Sequence, residues 1–455
     1  MKKFLAIVMS LCMVLSVLSI AVFADDNEPV AGTFVGYSAA RVEKKDLTTV
    51  PNMKDYYDYP GAQIEFKITD AEGLTTLAGA MAFGADFAGY TIYLANDINM
   101  ENVSWTPSGP FKGTLDGQGF MIENLKVTVS ETTVSYPTIG LFASIKNATI
   151  KNLVMGPNCS FIYSGDNTHR AQIGSIVGSM TGNSKVENCY SAATVTGNEA
   201  VGGLVGMVQS ATDPDSIRYS TYAGTAHCTH AWKNVGGIVG MIAKADVSVQ
   251  YCRNIGTITW VGGNADYGAA GGIVGRSYGA NTLIENCINN GSVTATNASV
   301  SNAGSMLGLM MLANCTIKDC VNYGTLTGGN KGICARNYGE GVSVTETNNT
   351  DVTTADSTLA DATLDLSNPN FTANVGNPTP PPSTGNNGDD GEDDTTKAPT
   401  TTKKPDKTTA PANTEAPTTE APAEEKKGCG SSIGCVALVL TVCGAAVTVY
   451  KKKED

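Results

Sequence analysis

The stretch Gly202-Gly203-Leu204-Val205-Gly206 governs how this chain is interpreted, because close copies of it recur along the sequence. The shared pattern is Gly-[Gly/Ser]-[Ile/Leu/Met]-[Val/Leu]-Gly, and its copies start at Gly174, Gly202, Gly236, Gly271 and Gly304. The starts are 28, 34, 35 and 33 residues apart. A period of this size is typical of repeat proteins, whose units bury their apolar faces only by stacking on their neighbours. The sequence therefore predicts a stack of similar units.

A second motif lies between these copies and places a small side chain at a fixed position. Four copies read Cys-x-[Asn/Ser]-x-[Gly/Ala]-[Ser/Thr]-[Val/Ile/Leu]-Thr, and they begin at Cys189, Cys252, Cys287 and Cys320. Free cysteine is among the most buried residue types, so we interpret these four as a structural ladder of reduced, buried thiols. A disulfide between neighbouring rungs is the alternative, because an even cysteine count outside the cell is typical of disulfides.

Each period has room for about three short strands separated by Gly or Asn turns. Stacked in register, such units form an all-β fold, a parallel β-helix solenoid of about seven to eight coils. Val195 then faces inward and Thr196 outward, since neighbouring strand residues point to opposite sides. Asn254, Asn289 and Asn322 are predicted to stack as a turn ladder. A β-propeller is the alternative, but its blades need four strands and usually carry an aromatic signature.

A helical pattern precedes the repeats. Thr69-Asp70-Ala71-Glu72 is a capping-box sequence, and Leu74 and Leu77 follow it at helical spacing. These residues predict an amphipathic helix over Asp70–Phe83, with Tyr90–Leu94 as the first strand of the fold. We expect the helix to cap the N-terminal end of the solenoid, because the first coil otherwise exposes an unpaired strand edge.

Both ends of the chain carry export signals. Met1-Lys2-Lys3, an apolar run and Val22-Phe23-Ala24 predict a secretory signal peptide. The uncharged run before Lys451 is long enough to span a membrane, and the lysines after it favour a cytoplasmic tail. The predicted organisation is a signal peptide at 1–24, a poorly assigned segment at 25–63, a cap helix and first coil at 64–139, the β-helix at 140–372, a disordered Pro/Thr-rich stalk at 373–427, a transmembrane helix at 428–450 and a cytoplasmic tail at 451–455.

The Gly-Gly-Leu/Ile-Val-Gly copies resemble the GLUG repeat of bacterial cell-surface proteins. The stretch from Ala71-Glu72-Gly73-Leu74 to Phe111-Lys112-Gly113-Thr114-Leu115-Asp116-Gly117 resembles the coil that precedes those repeats. The resemblance covers roughly residues 64–335 and implies a secreted, adhesin-like β-helix without naming a ligand. The run Lys427-Gly428-Cys429-Gly430-Ser431-Ser432 resembles a tail of Gram-positive surface proteins. Some relatives are immunoglobulin A peptidases with a His-Glu-x-x-His zinc domain, and none of the three histidines here begins that motif.

The charge balance of the chain disfavours nucleic-acid binding, because the net charge is -13, from 30 Lys+Arg and 43 Asp+Glu.

The motifs of the sequence argue against an enzyme. We predict no catalytic residue, no metal and no cofactor, and we interpret His227-Cys228-x-His230 as part of a surface loop, because its spacing matches no common zinc signature. The enzymatic alternative is a polysaccharide lyase or glycoside hydrolase of the β-helix type, with candidate carboxylates at Asp166, Asp213, Asp215, Asp246 and Asp266.

Aromatic side chains in loops and on outer faces supply the candidates for ligand binding. Tyr219, Trp232 and Trp260 are predicted to form a carbohydrate-binding patch if they cluster. The resulting hypothesis is an adhesin-like module for glycans, mucus or surface proteins of a host or neighbouring cell. We predict that it is held at the cell surface by one membrane pass, with its N-terminal body extracellular. A structural surface-layer component is the remaining alternative.

Overall fold

The computed structural model describes residues 44–59, 63–130, 132–209, 214–230, 233–244, 246–262, 267–296 and 301–351. The predicted signal peptide, stalk, transmembrane helix and cytoplasmic tail lie outside these residues, as does Trp232. Within the described ranges, no helix has the length and apolar character that crossing a membrane requires.

The described residues form an all-β parallel solenoid of about seven turns, as the repeats predict. One turn consists of Lys185–Glu187, Tyr190–Ser191, Thr194–Gly197, Ala200–Gly202 and Val205–Val208, and each strand pairs in parallel with its equivalent in the next turn. Each complete turn therefore has five strands, and the prediction of about three is wrong. Strands of two or three residues are too short to show an alternating polar and apolar pattern.

We number the five stacks of strands faces one to five, in chain order. Face one contains Glu65–Ile68, Thr91–Leu94, Thr114–Asp116, Thr149–Lys151, Lys185–Glu187, Asp215–Arg218, Val247–Gln250, Thr282–Glu285, Asn314–Lys318 and Ser343–Thr347. Face two contains Ile98–Asn99, Met121–Glu123, Val154–Met155, Tyr190–Ser191, Thr221–Tyr222, Arg253–Asn254, Ile288–Asn289, Val321–Asn322 and Thr350–Asp351. Face three contains Lys126–Val129, Ser160–Tyr163, Thr194–Gly197, Thr225–Cys228, Thr257–Trp260, Ser292–Ala295 and Leu326–Thr327.

Faces four and five are joined in one sheet, because the long strand Asn302–Met311 runs through both. Face four contains Thr138–Ile139, Gln172–Gly174, Ala200–Gly202, Asn234–Gly236, Ala269–Gly271, the first half of the long strand and Asn330–Cys334. Face five contains Phe142–Lys146, Val177–Thr181, Val205–Val208, Val239–Ile242, Val274–Ser277, the second half of the long strand and Asn337–Tyr338.

The predicted orientation of the face-three residues is confirmed. Val195 and Ile258 are fully buried and lie in register through Ala226, which occupies the turn between them. Thr196 and His227 are in register one residue later and face outward. The core therefore consists of stacked inward columns, one from each face.

The recurring glycine motif forms the corner between faces four and five. Gly236 ends a face-four strand and Val239 begins a face-five strand, and a Cβ atom on Gly236 would overlap the carbonyl oxygen of Val239. Outward side chains on the two sides of this corner, such as Ala200 and Met207, are buried against each other. The two faces therefore meet at a re-entrant angle, and we call this concave edge the corner groove.

A helix spans Ala71–Ala82, close to the predicted limits. Asp70 is its N-cap residue, and its Oδ1 accepts a hydrogen bond from the Gly73 amide at 3.0 Å. The strand Glu65–Ile68 precedes the helix and pairs with Thr91–Leu94, so the prediction that Tyr90–Leu94 is the first strand is wrong. A 3₁₀ helix at Met53–Asp58 lies within the segment that the sequence left unassigned.

The predicted cysteine ladder is present as buried free thiols. The Sγ atoms of Cys252 and Cys287 donate to the carbonyl oxygens of Ile217 and Val249 in the preceding turns, at 3.5 and 3.4 Å. The Sγ of Cys320 accepts from the Cys287 amide at 3.4 Å. Each thiol thus bridges neighbouring turns by hydrogen bonds.

The predicted asparagine ladder is also confirmed. The side-chain amide of Asn254 donates to Oδ1 of Asn289 at 2.8 Å, and Asn289 donates to Oδ1 of Asn322 at 2.8 Å. Asn322 donates in turn to Oδ1 of Asp351 at 2.7 Å. All three asparagines are buried, so each bond protects amide groups that would otherwise be buried without a partner.

Candidate functional site

The structure places Trp260 inside the solenoid. This residue ends the face-three strand Thr257–Trp260, is fully buried, and donates from Nε1 to the carbonyl oxygen of His230 at 3.0 Å. The smaller Cys228 and Ala295 occupy the same position in the turns before and after, which leaves room for the indole ring. This location corrects the expected one on an outer face. Trp232, the second predicted residue, is outside the described residues.

Tyr219 lies at a different edge of the molecule. It follows the face-one strand Asp215–Arg218 and is half-buried at the corner between faces one and two. Faces two and three separate this corner from Trp260 along the turn. The structure therefore does not bring Tyr219 and Trp260 together into the predicted patch.

The position of Tyr219 belongs to a column with left-handed backbone. One residue in each successive turn has φ between +52° and +56°, namely Asn152, Asn188, Tyr219, Tyr251, Asn286, Asp319 and Asn348. Asn and Asp tolerate this conformation, whereas a bulky residue adopts it at a cost. Tyr219 and Tyr251 are the two bulky members of this column. Their presence in adjacent turns marks this corner as unusual.

Tyr219 and Tyr251, which we call the tyrosine pair, stack on each other. Their ring centroids are 5.1 Å apart and their planes differ by 19°. Contacting carbon atoms lie ~3.5–4.0 Å apart, so rings at this centroid distance are offset and each leaves part of a face uncovered by the other. Burial raises the pKa of both phenols above the ordinary value. Both hydroxyls therefore stay protonated at neutral pH and can donate hydrogen bonds.

Polar side chains flank the tyrosine pair along face one. Glu187, Arg218, Gln250, Glu285 and Lys318 succeed one another in register on the outer side of this face. Lys318 and Glu285 form an ion pair at 2.6 Å, and Gln250 donates to Glu285. An aromatic surface bordered by donors and acceptors is a common composition of ligand sites.

Sequence reasoning found Tyr219 but missed Tyr251. Each directly precedes the ladder position occupied by Ser220 in one turn and by Cys252 in the next. Aligning the repeats on that position places both tyrosines in the column where other turns have Asn or Asp. An alignment of the repeats would therefore have identified Tyr251 from the sequence.

The carboxylates of the enzymatic alternative have separate local roles. Asp166 caps a loop by accepting from the Thr168 hydroxyl and from His169, and these bonds hold its pKa well below the usual range. Asp215 is buried and accepts from the Ser184 amide at 2.8 Å. Asp246 accepts from Asn281 at 2.9 Å, while Asp213 and Asp266 are outside the described residues.

The histidine motif does not converge on one point. His227 faces outward on face three, whereas Cys228 is fully buried with a pKa raised by burial to about 12. Over the ranges that the structure describes, no group of three or more His, Cys, Asp or Glu side chains is arranged to hold a metal ion.

Comparisons with known proteins show partial similarity to large proteins. The chain is 24% identical over 249 residues to an immunoglobulin A1 protease of Streptococcus pneumoniae, covering 52% of this chain and 12% of the relative. A second S. pneumoniae immunoglobulin A1 protease is 26% identical over 217 residues, covering 44% and 10%. Halomucin of Haloquadratum walsbyi is 36% identical over 106 residues, covering 23% and 1%. The chain thus spans about an eighth or less of the length of these relatives.

No protein-family model matches the chain, so the resemblance to GLUG repeats stays a prediction. Among solved structures, a Bacteroides ovatus protein described as a candidate immunoglobulin A1 protease superposes with a TM-score of 0.46 at 18% identity, covering 65% of this chain and 85% of that one. Two of the relatives are named as proteases, and these names give no support to the expectation that the chain is not an enzyme.

Proposed function

We propose that this chain is a binding module of the bacterial cell surface, and that it recognises glycans of mucus or of a neighbouring cell through the tyrosine pair. The observation that carries this proposal is the placement of Tyr219 and Tyr251 in a left-handed column otherwise occupied by Asn or Asp. A bulky residue in this conformation costs about 1–3 kcal/mol, and such costs concentrate at functional sites. Stacked, half-exposed rings with polar neighbours suit the apolar face and the hydroxyls of a sugar.

The segments on either side of the solenoid suit display of this module at the cell surface. The GLUG-type solenoid is secreted after removal of residues 1–24, raised on the stalk at 373–427 and held by the helix at 428–450. The helix Ala71–Ala82 closes its N-terminal end. Support comes from the sequence of these segments and from the burial of Leu74 and Leu77 in the same core as the first strands.

The experiment replaces both tyrosines with the residue that the column otherwise prefers. The variant Tyr219→Asn/Tyr251→Asn should keep its thermal stability, because Asn accepts a positive φ. Binding to immobilised mucin and glycans should fall about tenfold or more, as expected for loss of central aromatic contacts. Binding isotherms of the full chain, together with melting curves, measure both.

The matched control is Tyr136→Asn, which removes an exposed tyrosine outside the pair. It should bind as the wild-type chain does. Equal binding by the wild type and the double variant would remove the tyrosine pair from the proposal. Binding to none of the glycans by the wild type would remove the glycan function itself.

Proteolysis is a second candidate function, favoured only by the names of the two S. pneumoniae relatives. Incubation of the full chain with human immunoglobulin A1, followed by electrophoresis, tests it directly. An intact heavy chain after prolonged incubation is expected for a binding module. Time-dependent cleavage that persists after repurification would replace the binding proposal.

A further inference from the structure

The last described turn of the solenoid has strand edges that its own neighbours leave unpaired. This turn consists of Leu326–Thr327, Asn330–Cys334, Asn337–Tyr338, Ser343–Thr347 and Thr350–Asp351. Each of these strands pairs with the preceding turn, and within the described residues none pairs on its other side. Such edges are a template for pairing with strands of another molecule, so natural proteins protect them. At the opposite end of the solenoid, the helix Ala71–Ala82 packs against the core.

The main inward column of face one ends in a carboxylate. Buried apolar residues succeed one another in register along it, namely Phe66, Ile92, Leu115, Ile150, Val186, Ile217, Val249, Ile284 and Ile317. The next position is Glu346, which is exposed. Its Oε1 accepts a hydrogen bond from the Cys334 amide at 3.3 Å, so the carboxylate lies across the end of the core. Another turn stacked here would bury this charge, which is unfavourable.

The asparagine ladder of face two also ends in a carboxylate. Each side-chain amide in this ladder donates to Oδ1 of the next member, and the last bond runs from Asn322 to the exposed Asp351. A carboxylate accepts hydrogen bonds but cannot donate one. Asp351 therefore satisfies the amide of Asn322 and cannot extend the ladder into another turn.

The inward column of face four ends in an ammonium group. Its earlier members are buried and apolar, namely Ile139, Ile173, Val201, Val235, Ala270 and Ala303. Lys331 is in register with Ala303 and is exposed. Three faces thus carry a charged residue at an inward position of the last described turn. Inward-pointing charges are one of the means by which natural proteins prevent edge-to-edge association.

We propose that Lys331, Glu346 and Asp351, which we call the stop residues, keep this end of one molecule from pairing with the same end of a second copy. A second copy is the partner that the end fits, because turns of this solenoid pair with one another throughout the stack. Two identical ends related by a twofold axis would pair their strands in antiparallel fashion. Burial of the stop residues opposes this contact, and their one positive and two negative charges make two such ends repel. This inference does not depend on the tyrosine pair.

The test replaces each stop residue with the residue that precedes it in register, in the variant Lys331→Ala/Glu346→Ile/Asp351→Asn. The wild-type chain should be monomeric over about 1–200 μM, and the variant should dimerise with a Kd at least about tenfold lower. Association should stop at two copies, because the helix Ala71–Ala82 closes the other end. Sedimentation equilibrium of the full chain, with all proteins under the same conditions, measures the mass and the Kd.

The matched control is Lys185→Ala/Asp319→Asn/Glu340→Ile, which makes the same three exchanges at positions outside the inward columns and should stay monomeric. Adding Val344→Lys to the triple variant returns a charge to an inward position of the last described turn and should restore the monomer. Circular dichroism checks that each variant is folded. The proposal would be overturned by a triple variant that stays monomeric, by a wild type or control that dimerises equally, or by dimers that persist with Val344→Lys.

Discussion

Single residues in this solenoid are determined by what occupies the same position in the turns above and below. Tyr222 fills the column of Asn254 and is fully buried, because its hydroxyl reaches the carbonyl oxygen of Ala193 at 2.9 Å. Ser220 replaces cysteine in the ladder, and its hydroxyl donates to the carbonyl oxygen of Arg218 at 2.8 Å. The ladder thiols likewise donate to the carbonyl oxygen two residues before them. The space and the hydrogen-bond partners within each column therefore determine which residue types the repeats accept there.

His227 makes the stability of the fold depend on pH. Burial lowers its pKa below the ordinary value of 6.5, and its Nε2 is buried without a hydrogen-bond partner among the described residues. The unfolded chain therefore binds a proton at His227 more readily than the folded chain does. The stability of the fold with neutral His227 is lost as pH falls from 6.5 through the folded pKa. In His227→Thr, which copies Thr196 and Thr259, the melting temperature should fall less between pH 7.5 and 5.0. Equal declines in both proteins would contradict this.

The ladder thiols should be unreactive while the chain is folded. Burial raises the pKa of Cys189 to about 12 and the pKa of Cys287 and Cys320 well above the ordinary value, so little thiolate is present at neutral pH. Iodoacetamide labelling read by mass spectrometry should modify none of the described cysteines in the native chain. All eight of them should be modified in denaturant without a reductant. A peptide pair joined through Cys287, released only by reductant, would show a disulfide instead.

At the scale of elements, the residues at the corners fix the positions of the strands more than the length of the strands does. Face-two strands of two residues exist because the left-handed residue before them and the asparagine ladder within them fix the chain. The glycine corners fix faces four and five in the same way, since nothing larger fits at Gly236.

Two glycine-to-alanine substitutions, one at a corner and one in the helix, test whether the corner requires glycine. Gly236→Ala forces a Cβ against the backbone of Val239 and should destabilise the fold by about 3 kcal/mol or more. Gly79→Ala, in the helix Ala71–Ala82 with no atom within 4 Å of the added Cβ, should stabilise it by about 0.5–1 kcal/mol. Urea unfolding curves measure both. Similar effects of the two changes would contradict the role assigned to the corner.

At the scale of the whole molecule, the sequence was sufficient to predict the solenoid, its period, its inward columns and the helix before it. The period is visible because the glycine corner and the cysteine ladder each accept few residue types. The number of strands was missed, since Tyr190–Ser191 and its equivalents are too short to alternate. Of the tyrosine pair, the sequence predicted Tyr219 but not Tyr251, and it placed Trp260 on the surface. Tryptophan is typical of surface binding sites, but the residues in register with Trp260 are small enough to admit its ring to the core.

The proposed binding function is tested most directly by a binding panel with the full chain, in which retention on each glycan and mucin is recorded together with the release of soluble sugar. A surface binding module should be retained on at least one polymer without releasing sugar, and the variant Tyr219→Asn/Tyr251→Asn should lose that retention. Release of sugar from any polymer would contradict the binding function and favour catalysis by the loop carboxylates.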